Sequence, residues 1–195
     1  MKKSKIVLFL GPSGVGKSTL IRELCKLYPK KYAYVVPYTT RKLRKKESDK
    51  LHMEQSLFLD YVKQKKIICP NNVYGHLYGP SKVLIDSIIH SNKIPLLDWP
   101  INRLKELKDM LRDFSIKAVY ILPPSMKALE KRLNKDDRDE KGLRFKTALE
   151  ELERVKKGEY SKLIDLEIVN RGRITSKAKE LNILLGNLYN ARKQD

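Results

Sequence analysis

The sequence predicts an α/β fold in which a parallel sheet is flanked by helices. Short apolar runs, each long enough for one buried strand, alternate with segments whose apolar residues recur at helical spacing. The first run, residues 5–10, leads into a glycine-rich turn and then into a helical pattern. This order is typical of parallel sheets, because each strand needs a crossover to return to the same edge.

The first half of the chain starts with that strand–loop–helix unit. Its helix is predicted to begin at Lys17 and to end before Pro29, because apolar residues recur at helical spacing between them. A stretch rich in turn residues and tyrosines, residues 71–81, interrupts the later pattern. The other elements predicted here are an extended segment at 32–40, helices at 56–64 and 82–90, and a buried strand at 94–98.

The second half repeats the alternation. Residues 101–114 carry apolar side chains at helical spacing and predict an amphipathic helix. Seven of the nine residues 134–142 are charged, which predicts a mobile segment that faces solvent. The other elements predicted here are buried strands at 116–122 and 166–169, and helices at 125–133, 143–157 and 177–189.

Composition is consistent with one compact unit carrying small insertions. The chain has 195 residues, of which 41% are hydrophobic and 33% charged. Its first apolar run is far shorter than the roughly 18 residues that a membrane helix needs. Cys25 and Cys69 form no metal-ligand or disulfide pattern. We therefore expect a cytoplasmic protein without a membrane segment.

The strongly basic balance indicates anionic partners. The formal net charge is +19, and basic residues concentrate at 41–50 and 63–66. Others lie along predicted helices, where a solvated basic face is the ordinary outcome. Small anions such as nucleotides account for this pattern, and a nucleic-acid surface is the alternative that the distribution favours less.

Residues 11–18 read GPSGVGKS and match the phosphate-binding pattern G-x-x-x-x-G-K-S/T between a predicted strand and a predicted helix. Backbone N–H groups of such a loop surround a phosphate cluster, and the helix N-terminus favours anions. Lys17 would bring charge to the β- and γ-phosphates, and Ser18 would offer its hydroxyl to Mg²⁺, with Thr19 as a less favoured alternative. The residues expected to hold a nucleoside triphosphate are Gly11, Pro12, Ser13, Gly14, Val15, Gly16, Lys17, Ser18 and Thr19.

A second apolar strand ends in an acid, Asp98. A carboxylate beside a phosphate-binding loop can hold Mg²⁺ directly or through a bound water. The alternative for Asp98 is a helix cap. The loop and this aspartate together predict binding of a nucleoside triphosphate with Mg²⁺.

Further motifs follow in order: TTRKLR and KE within 39–47, LYGPS at 77–81, LLD at 96–98, ILPPS at 121–125 and IVN at 168–170. Together with the loop they resemble the guanylate kinase family over about residues 6–188. The resemblance implies a P-loop kinase core with a parallel sheet, in which ATP phosphorylates GMP to GDP. It divides the chain into a core of residues 1–36 and 91–195, with a lid at about 134–144, and an acceptor-binding insert at 37–90.

The resemblance also assigns residues to the acceptor phosphate. Arg41 and Arg44 would hold it, and Tyr78 would donate its hydroxyl to it. Two guanidinium groups and a phenol suit a phosphate dianion and reduce its repulsion with ATP. An exposed basic loop is the alternative for the two arginines, and packing is the alternative for Tyr78.

In the lid region the resemblance implies arginines that stabilise the transferring phosphoryl group. Arg132, Arg138 and Arg144 are available, and Arg144 best matches the family's arginine on the returning helix. A solvated charge is an equal alternative for Arg138. Asn170 matches a family position near the adenine.

Several departures fall on the positions that would recognise guanine. Proline replaces a serine, a small hydroxyl residue and an acid at Pro37, Pro80 and Pro100, Cys69 replaces an acid, and the tyrosine expected near residues 49–52 is missing. We therefore expect a weakened preference for GMP. Other polar side chains that could contact the acceptor are Lys50, His52, Asn71, Asn72 and His76.

The sequence thus predicts an ATP- and Mg²⁺-dependent kinase acting on GMP or a related small phosphorylated acceptor. One alternative is a kinase for a different acceptor, such as ribose 1,5-bisphosphate or another nucleotide. A second alternative is a non-catalytic guanylate kinase-like module that binds phosphorylated peptides. The intact Lys17, Ser18 and Asp98 favour the enzyme.

Overall fold

The computed structural model describes residues 3–43, 45, 47–73, 75–134 and 142–190. Strands and helices alternate along most of this chain. The strands are β1 (Lys5–Leu10), β2 (Tyr32–Tyr34), β3 (Tyr38–Thr39), β4 (Leu51–His52), β5 (Asn71–Val73), β6 (His76–Gly79), β7 (Ile94–Asp98), β8 (Ser115–Leu122) and β9 (Leu166–Val169). The α-helices are α1 (Lys17–Leu27), α2 (Gln55–Lys63), α3 (Lys82–His90), α4 (Leu104–Met110), α5 (Met126–Asn134), α6 (Leu143–Lys156) and α7 (Ile174–Asn190).

Five strands form a parallel sheet in the order β2-β7-β1-β8-β9. The central strand β1 pairs with both β7 and β8, so that Val7 is aligned with Leu96 on one side and with Lys117 on the other. Five consecutive residues of β1 are fully buried, as expected for a strand covered on both faces. The predicted α/β fold with a parallel sheet is confirmed.

Helices cover both faces of this sheet. Successive side chains of β1 point to opposite faces and so enter two different parts of the core. Ile6, Leu8 and Leu10 pack in one cluster with residues of α3 and α4, whereas Val7 and Phe9 pack in another with residues of α1 and α7. No helix among the described residues is both long and apolar enough to span a membrane.

A second, smaller sheet has the order β4-β3-β6-β5. It packs with α2 around a small core of Met53, Phe58 and Ile67. All of its strands lie within the segment 37–90 that the sequence analysis separates as an insert. That this segment acts as a distinct acceptor-binding unit stays a prediction.

Most predicted boundaries shift by only a residue or so, but three segments differ more from the sequence prediction. The stretch 71–81 contains an antiparallel hairpin, β5–β6, because Gly75 provides the turn with a positive φ. The helix predicted at 101–114 is a 3₁₀ turn, Ile101–Arg103, followed by the short helix α4. The last helix begins at Ile174, three residues before the predicted start. The charged segment 135–141 lies outside the described residues.

Candidate active site

One large cleft of about 1540 Å³ opens at the carboxyl edge of the parallel sheet. Ligands of open α/β sheets bind at this edge, where the strands end and the loops begin. The loop after β1 forms one wall, the small sheet forms the opposite wall, and α6 contributes one side.

The glycines of the loop after β1 are required by its geometry. Gly11 has φ +127°, and a Cβ built there would stand 2.5 Å from the backbone oxygen of Ile121 in β8. Gly16 has φ +98°, and its Cβ would stand 2.6 Å from Nδ2 of Asn170. Larger residues cannot adopt this backbone without strain. The loop is therefore closely packed against the ends of β8 and β9.

Lys17 lies at the first position of α1, where the helix N-terminus favours anions. Its Nζ donates to the carbonyl oxygens of Gly11 at 2.6 Å and Pro12 at 3.1 Å. The same ammonium is 3.7 Å from Oδ1 of Asp98. The side chain is thus held across the loop in which phosphates are expected to bind.

Ser18 and Asp98 meet at the floor of the cleft. The Ser18 hydroxyl donates to Oδ2 of Asp98 at 3.3 Å, because β7 lies beside β1 and ends at Asp98. A hydroxyl next to a carboxylate is a donor set that suits Mg²⁺, which prefers oxygen ligands and keeps several waters. These two residues therefore fit the metal that the sequence analysis assigns to them.

Two side chains brace the loop from outside. Asn170 follows β9 and donates through Nδ2 to the carbonyl oxygen of Val15 at 2.7 Å. Arg132 of α5 donates to the carbonyl oxygens of Gly14 at 3.4 Å and Val15 at 3.3 Å. The side chain of Val15 is fully buried in the core below the loop and does not line the cleft.

Arg41 and Tyr78 meet on the opposite wall. The Nε of Arg41 donates to the Tyr78 hydroxyl oxygen at 3.1 Å, and its Nη2 donates to Oε1 of Glu47 at 2.5 Å. The buried Thr39 fixes the backbone here, since its Oγ1 accepts from the N–H of Arg41 at 3.1 Å. Arg44, the second arginine expected here, lies outside the described residues.

Helix α6 presents Arg144 and Glu151 to the cleft, seven residues apart and so on one face. Arg144 is only 9% exposed. Glu151 accepts from the hydroxyl of the buried Tyr120 at 3.0 Å, and burial raises the pKa of its carboxyl. Arg138, the other lid arginine expected to act, lies outside the described residues.

The departures expected to affect guanine recognition divide into two groups. Pro37, Pro80 and Pro100 all line the cleft. Cys69 does not line it, because its side chain is buried in the core against Met110 of α4. Burial also raises the pKa of the Cys69 thiol to about 12. That position therefore presents no anionic group to a ligand in the cleft.

Sequence reasoning did not assign roles to Glu151 and Tyr34, and it considered Arg132 only for the transferring phosphoryl group, not as a support of the loop. Tyr34 lines the cleft, and its pKa is raised first by burial and then by the charges of Asp98 and Asp49. Nothing in the local sequence distinguishes these residues from neighbouring arginines, acids and tyrosines. Only helical spacing from Arg144 could have placed Glu151 on the cleft face.

A parallel sheet with this loop at its carboxyl edge, together with a strand-terminal aspartate beside the loop, defines a protein with a P-loop kinase fold. The family model described as Guanylate kinase matches residues 3–179. The chain belongs to the guanylate kinase family.

Curated relatives carry the same description. The guanylate kinase 1 of Oryza sativa subsp. japonica is 37% identical over 134 residues, which are 66% of this chain and 34% of that protein. A guanylate kinase of Clostridium tetani (strain Massachusetts / E88) is 30% identical over 171 residues, which are 85% of this chain and 80% of that protein. The chain thus spans about a third of the length of the plant relative and most of the bacterial one.

The fold is also similar to that of a solved structure, the crystal structure of guanylate kinase from Anaplasma phagocytophilum. The TM-score is 0.69 and the sequence identity is 22%, with 100% of this chain and 89% of the other covered. This likeness confirms the P-loop kinase fold.

Proposed function

We propose that the protein is an ATP- and Mg²⁺-dependent kinase that phosphorylates GMP or a related small phosphorylated acceptor. The observation that carries this proposal is that Lys17, Ser18, Asp98, Arg41 and Tyr78 all line the same cleft. One wall suits a triphosphate and the other suits a second phosphate. Membership of the guanylate kinase family supports the same reaction.

The chemistry needs positioning and charge neutralisation rather than a side-chain nucleophile. The loop N–H groups and Lys17 would hold the β- and γ-phosphates of ATP. Arg41 and Tyr78 would orient the acceptor phosphate, with the Tyr78 hydroxyl proton left to donate because its oxygen accepts from Arg41. Ser18 and Asp98 would hold Mg²⁺, which supplies charge neutralisation at the phosphate oxygens when bound.

Helix α6, which follows the predicted lid, would supply the remaining positive charge near the transferring phosphoryl group. Arg144 lines the cleft from α6 and would stabilise charge on the transferring group, and Arg138 keeps the same proposed role. Asn170 would act near the adenine while it fixes the loop through Val15.

A second candidate function is a kinase for a different acceptor, such as another nucleotide or ribose 1,5-bisphosphate. The observation that favours it is the proline lining at Pro37, Pro80 and Pro100, where a guanine site needs polar partners. The non-catalytic phosphopeptide module is less favoured, because Lys17, Ser18 and Asp98 lie close together at the loop, which supports binding of a triphosphate and its metal.

The test is ADP formation from ATP and Mg²⁺ with each acceptor in turn. ADP formed in proportion to added GMP, another nucleoside monophosphate or ribose 1,5-bisphosphate is the expected result. ATP binding without ADP formation across the whole panel would contradict the kinase and favour the binding module.

Replacing Arg41 by Ala is expected to act mainly on the acceptor. We expect the acceptor KM to rise by roughly 30- to 150-fold, since a charge-assisted contact is worth about 2 to 3 kcal/mol, while the ATP KM changes little. Steady-state kinetics with each substrate varied separately measure both values. Lys42→Ala, which removes the neighbouring exposed charge, is the matched control and should leave both values unchanged. Equal effects on the two KM values would argue against the acceptor assignment.

Replacing Asp98 by Asn is expected to raise the Mg²⁺ concentration needed for half-maximal activity by about tenfold or more, because a neutral amide is a poorer Mg²⁺ ligand than a carboxylate. A Mg²⁺ titration at saturating ATP and acceptor measures this concentration. The exposed Asp113→Asn change is the control for loss of one negative charge. An unchanged Mg²⁺ requirement would remove Asp98 from the metal site.

A further inference from the structure

We infer that this protein selects its acceptor through the phosphate rather than through the base, so that its substrates are nucleoside monophosphates as a class, and that Lys50 is a ligand of the acceptor phosphate. The inference rests on the proposed kinase function. It follows from three features of the wall formed by β3, residues 47–50 and the β5–β6 hairpin, which we name the acceptor wall.

The first feature is the position of Lys50, which lines the cleft. Its Nζ is 3.9 Å from Oε1 of Glu47, the same oxygen that accepts from Nη2 of Arg41 at 2.5 Å. The Glu47 carboxylate thus lies between Lys50 and Arg41, and Arg41 also donates to the Tyr78 hydroxyl. A phosphate dianion has enough acceptor oxygens to bind both cations and the phenol together. Lys50 therefore adds a third donor, beside Arg41 and Tyr78, to the predicted phosphate site.

The second feature is that the carboxylates of the acceptor wall are already engaged. Asp49 lies 3.2 Å from Nζ of Lys50, and Glu47 is bonded to Arg41. Burial acts to raise the pKa of Asp49, but Lys50, together with Arg22 and a backbone N–H, outweighs burial and leaves this pKa below its usual value. Guanine presents N–H donors that a free carboxylate would recognise. Among the described residues of this wall, both carboxylates, Glu47 and Asp49, are paired with cations, which weakens the charge that they offer to guanine, and Cys69 is turned into the core.

The third feature is the surface that remains for a base. Asn71 is aligned with Tyr78, and Val73 with His76, so these four side chains share one face of the hairpin. The Asn71 amide both donates and accepts, and therefore suits the edge of any base. Pro37 and Pro80 add apolar surface without side-chain donors. Asn72 is different, because its Oδ1 accepts from the N–H of Gly75 and holds the turn.

The expected size of discrimination follows from these contacts. A site built around committed hydrogen bonds rejects a wrong substrate by about 10⁴- to 10⁵-fold, whereas apolar contacts discriminate by about 10- to 200-fold. The acceptor wall combines strong phosphate contacts with an adaptable amide and apolar residues. We therefore expect kcat/KM to differ among bases by no more than about 100-fold, within the range of about 10- to 200-fold that apolar contacts give.

The experiment compares kcat/KM for GMP, AMP, CMP and UMP at saturating ATP and Mg²⁺. The expected result is that all four values lie within about 100-fold of one another. A preference for any one base larger than this overturns the inference. Turnover of ribose 1,5-bisphosphate but of none of the four also overturns it and leaves the kinase proposal standing. If no acceptor yields ADP, both proposals fail.

The role of Lys50 is tested by Lys50→Met. In this variant the KM for each monophosphate should rise by roughly 10-fold or more, because a charge-assisted phosphate contact is lost. The factor should be the same for all four, so that the ratios of their kcat/KM values stay unchanged. Lys50→Arg should restore most of the loss. Lys63→Met, at an exposed lysine of α2, is the matched control.

A double change separates direct contact from disturbance of Asp49. Lys50→Met leaves Asp49 without its partner, whereas Asp49→Asn combined with Lys50→Met removes that charge as well. The raised KM should persist in the double variant. Recovery of the original KM there, or no rise in the single variant, would overturn the assignment of Lys50 to the acceptor phosphate.

Discussion

Lys17→Ala is expected to reduce ATP-dependent ADP formation by about 10³-fold or more. The ammonium lies at the N-terminus of α1 and within reach of the loop carbonyls and Asp98, where the β- and γ-phosphates are expected to bind. Removing one preorganised group that stabilises transition-state charge typically costs about 10²- to 10³-fold, and here the group also contributes to ATP binding. Initial rates at saturating ATP and acceptor measure the loss.

The control must distinguish a loss of catalysis from a loss of folding stability, because Lys17 also donates hydrogen bonds to Gly11 and Pro12. Lys26→Ala removes an exposed lysine from the last turn of the same helix and should retain nearly full activity. Thermal denaturation of Lys17→Ala should show that the variant is folded at the assay temperature. Full activity in a folded Lys17→Ala variant would refute the assignment of this loop to ATP.

Gly11→Ala is expected to lower the free energy of unfolding by about 3 to 5 kcal/mol, because a strained backbone and a steric overlap add together. The new Cβ would stand 2.5 Å from the backbone oxygen of Ile121 in β8, and a strand that is paired on both sides cannot move aside easily. Urea denaturation followed by circular dichroism measures the change.

Gly186→Ala provides a matched comparison for Gly11→Ala. Gly186 lies inside α7, its φ is ordinary for a helix, and a methyl group added there would meet no atom of another element within 4 Å. We expect this change to stabilise the protein by roughly 0.5 to 1 kcal/mol, since alanine is the better helix former. If the two variants lost similar stability, the steric argument for Gly11 would be wrong.

The elements of the core could be predicted from local sequence because their signals are local. β1 is a short apolar run, and the loop that follows it is recognisable from eight consecutive residues. Asp98 could be placed beside the loop because a strand-terminal acid falls at the carboxyl edge of a parallel sheet. The contact between Ser18 and Asp98 bears out that placement, while their role toward Mg²⁺ stays a prediction.

The acceptor wall was harder to predict because its contacts are not local. The hairpin of β5 and β6 has few apolar residues, so no alternation marked it as sheet. The proximity of Lys50 to the oxygen shared with Arg41 depends on how residues 47–50 return beside β3. The packing of Cys69 against Met110 joins residues 41 positions apart. Only the folded chain shows which of these side chains face the cleft.

The central place of β1 has a consequence for synthesis on the ribosome. β1 precedes the other strands of this sheet in the chain, but Val7 pairs with Leu96 and Lys117, which are made much later. At translation rates of about 5 to 20 residues per second, this apolar strand waits roughly 5 to 20 s for its first neighbour in β7. During that interval its backbone groups and apolar side chains lack their partners in the sheet, so we expect β1 to be open to pairing with other chains while synthesis continues.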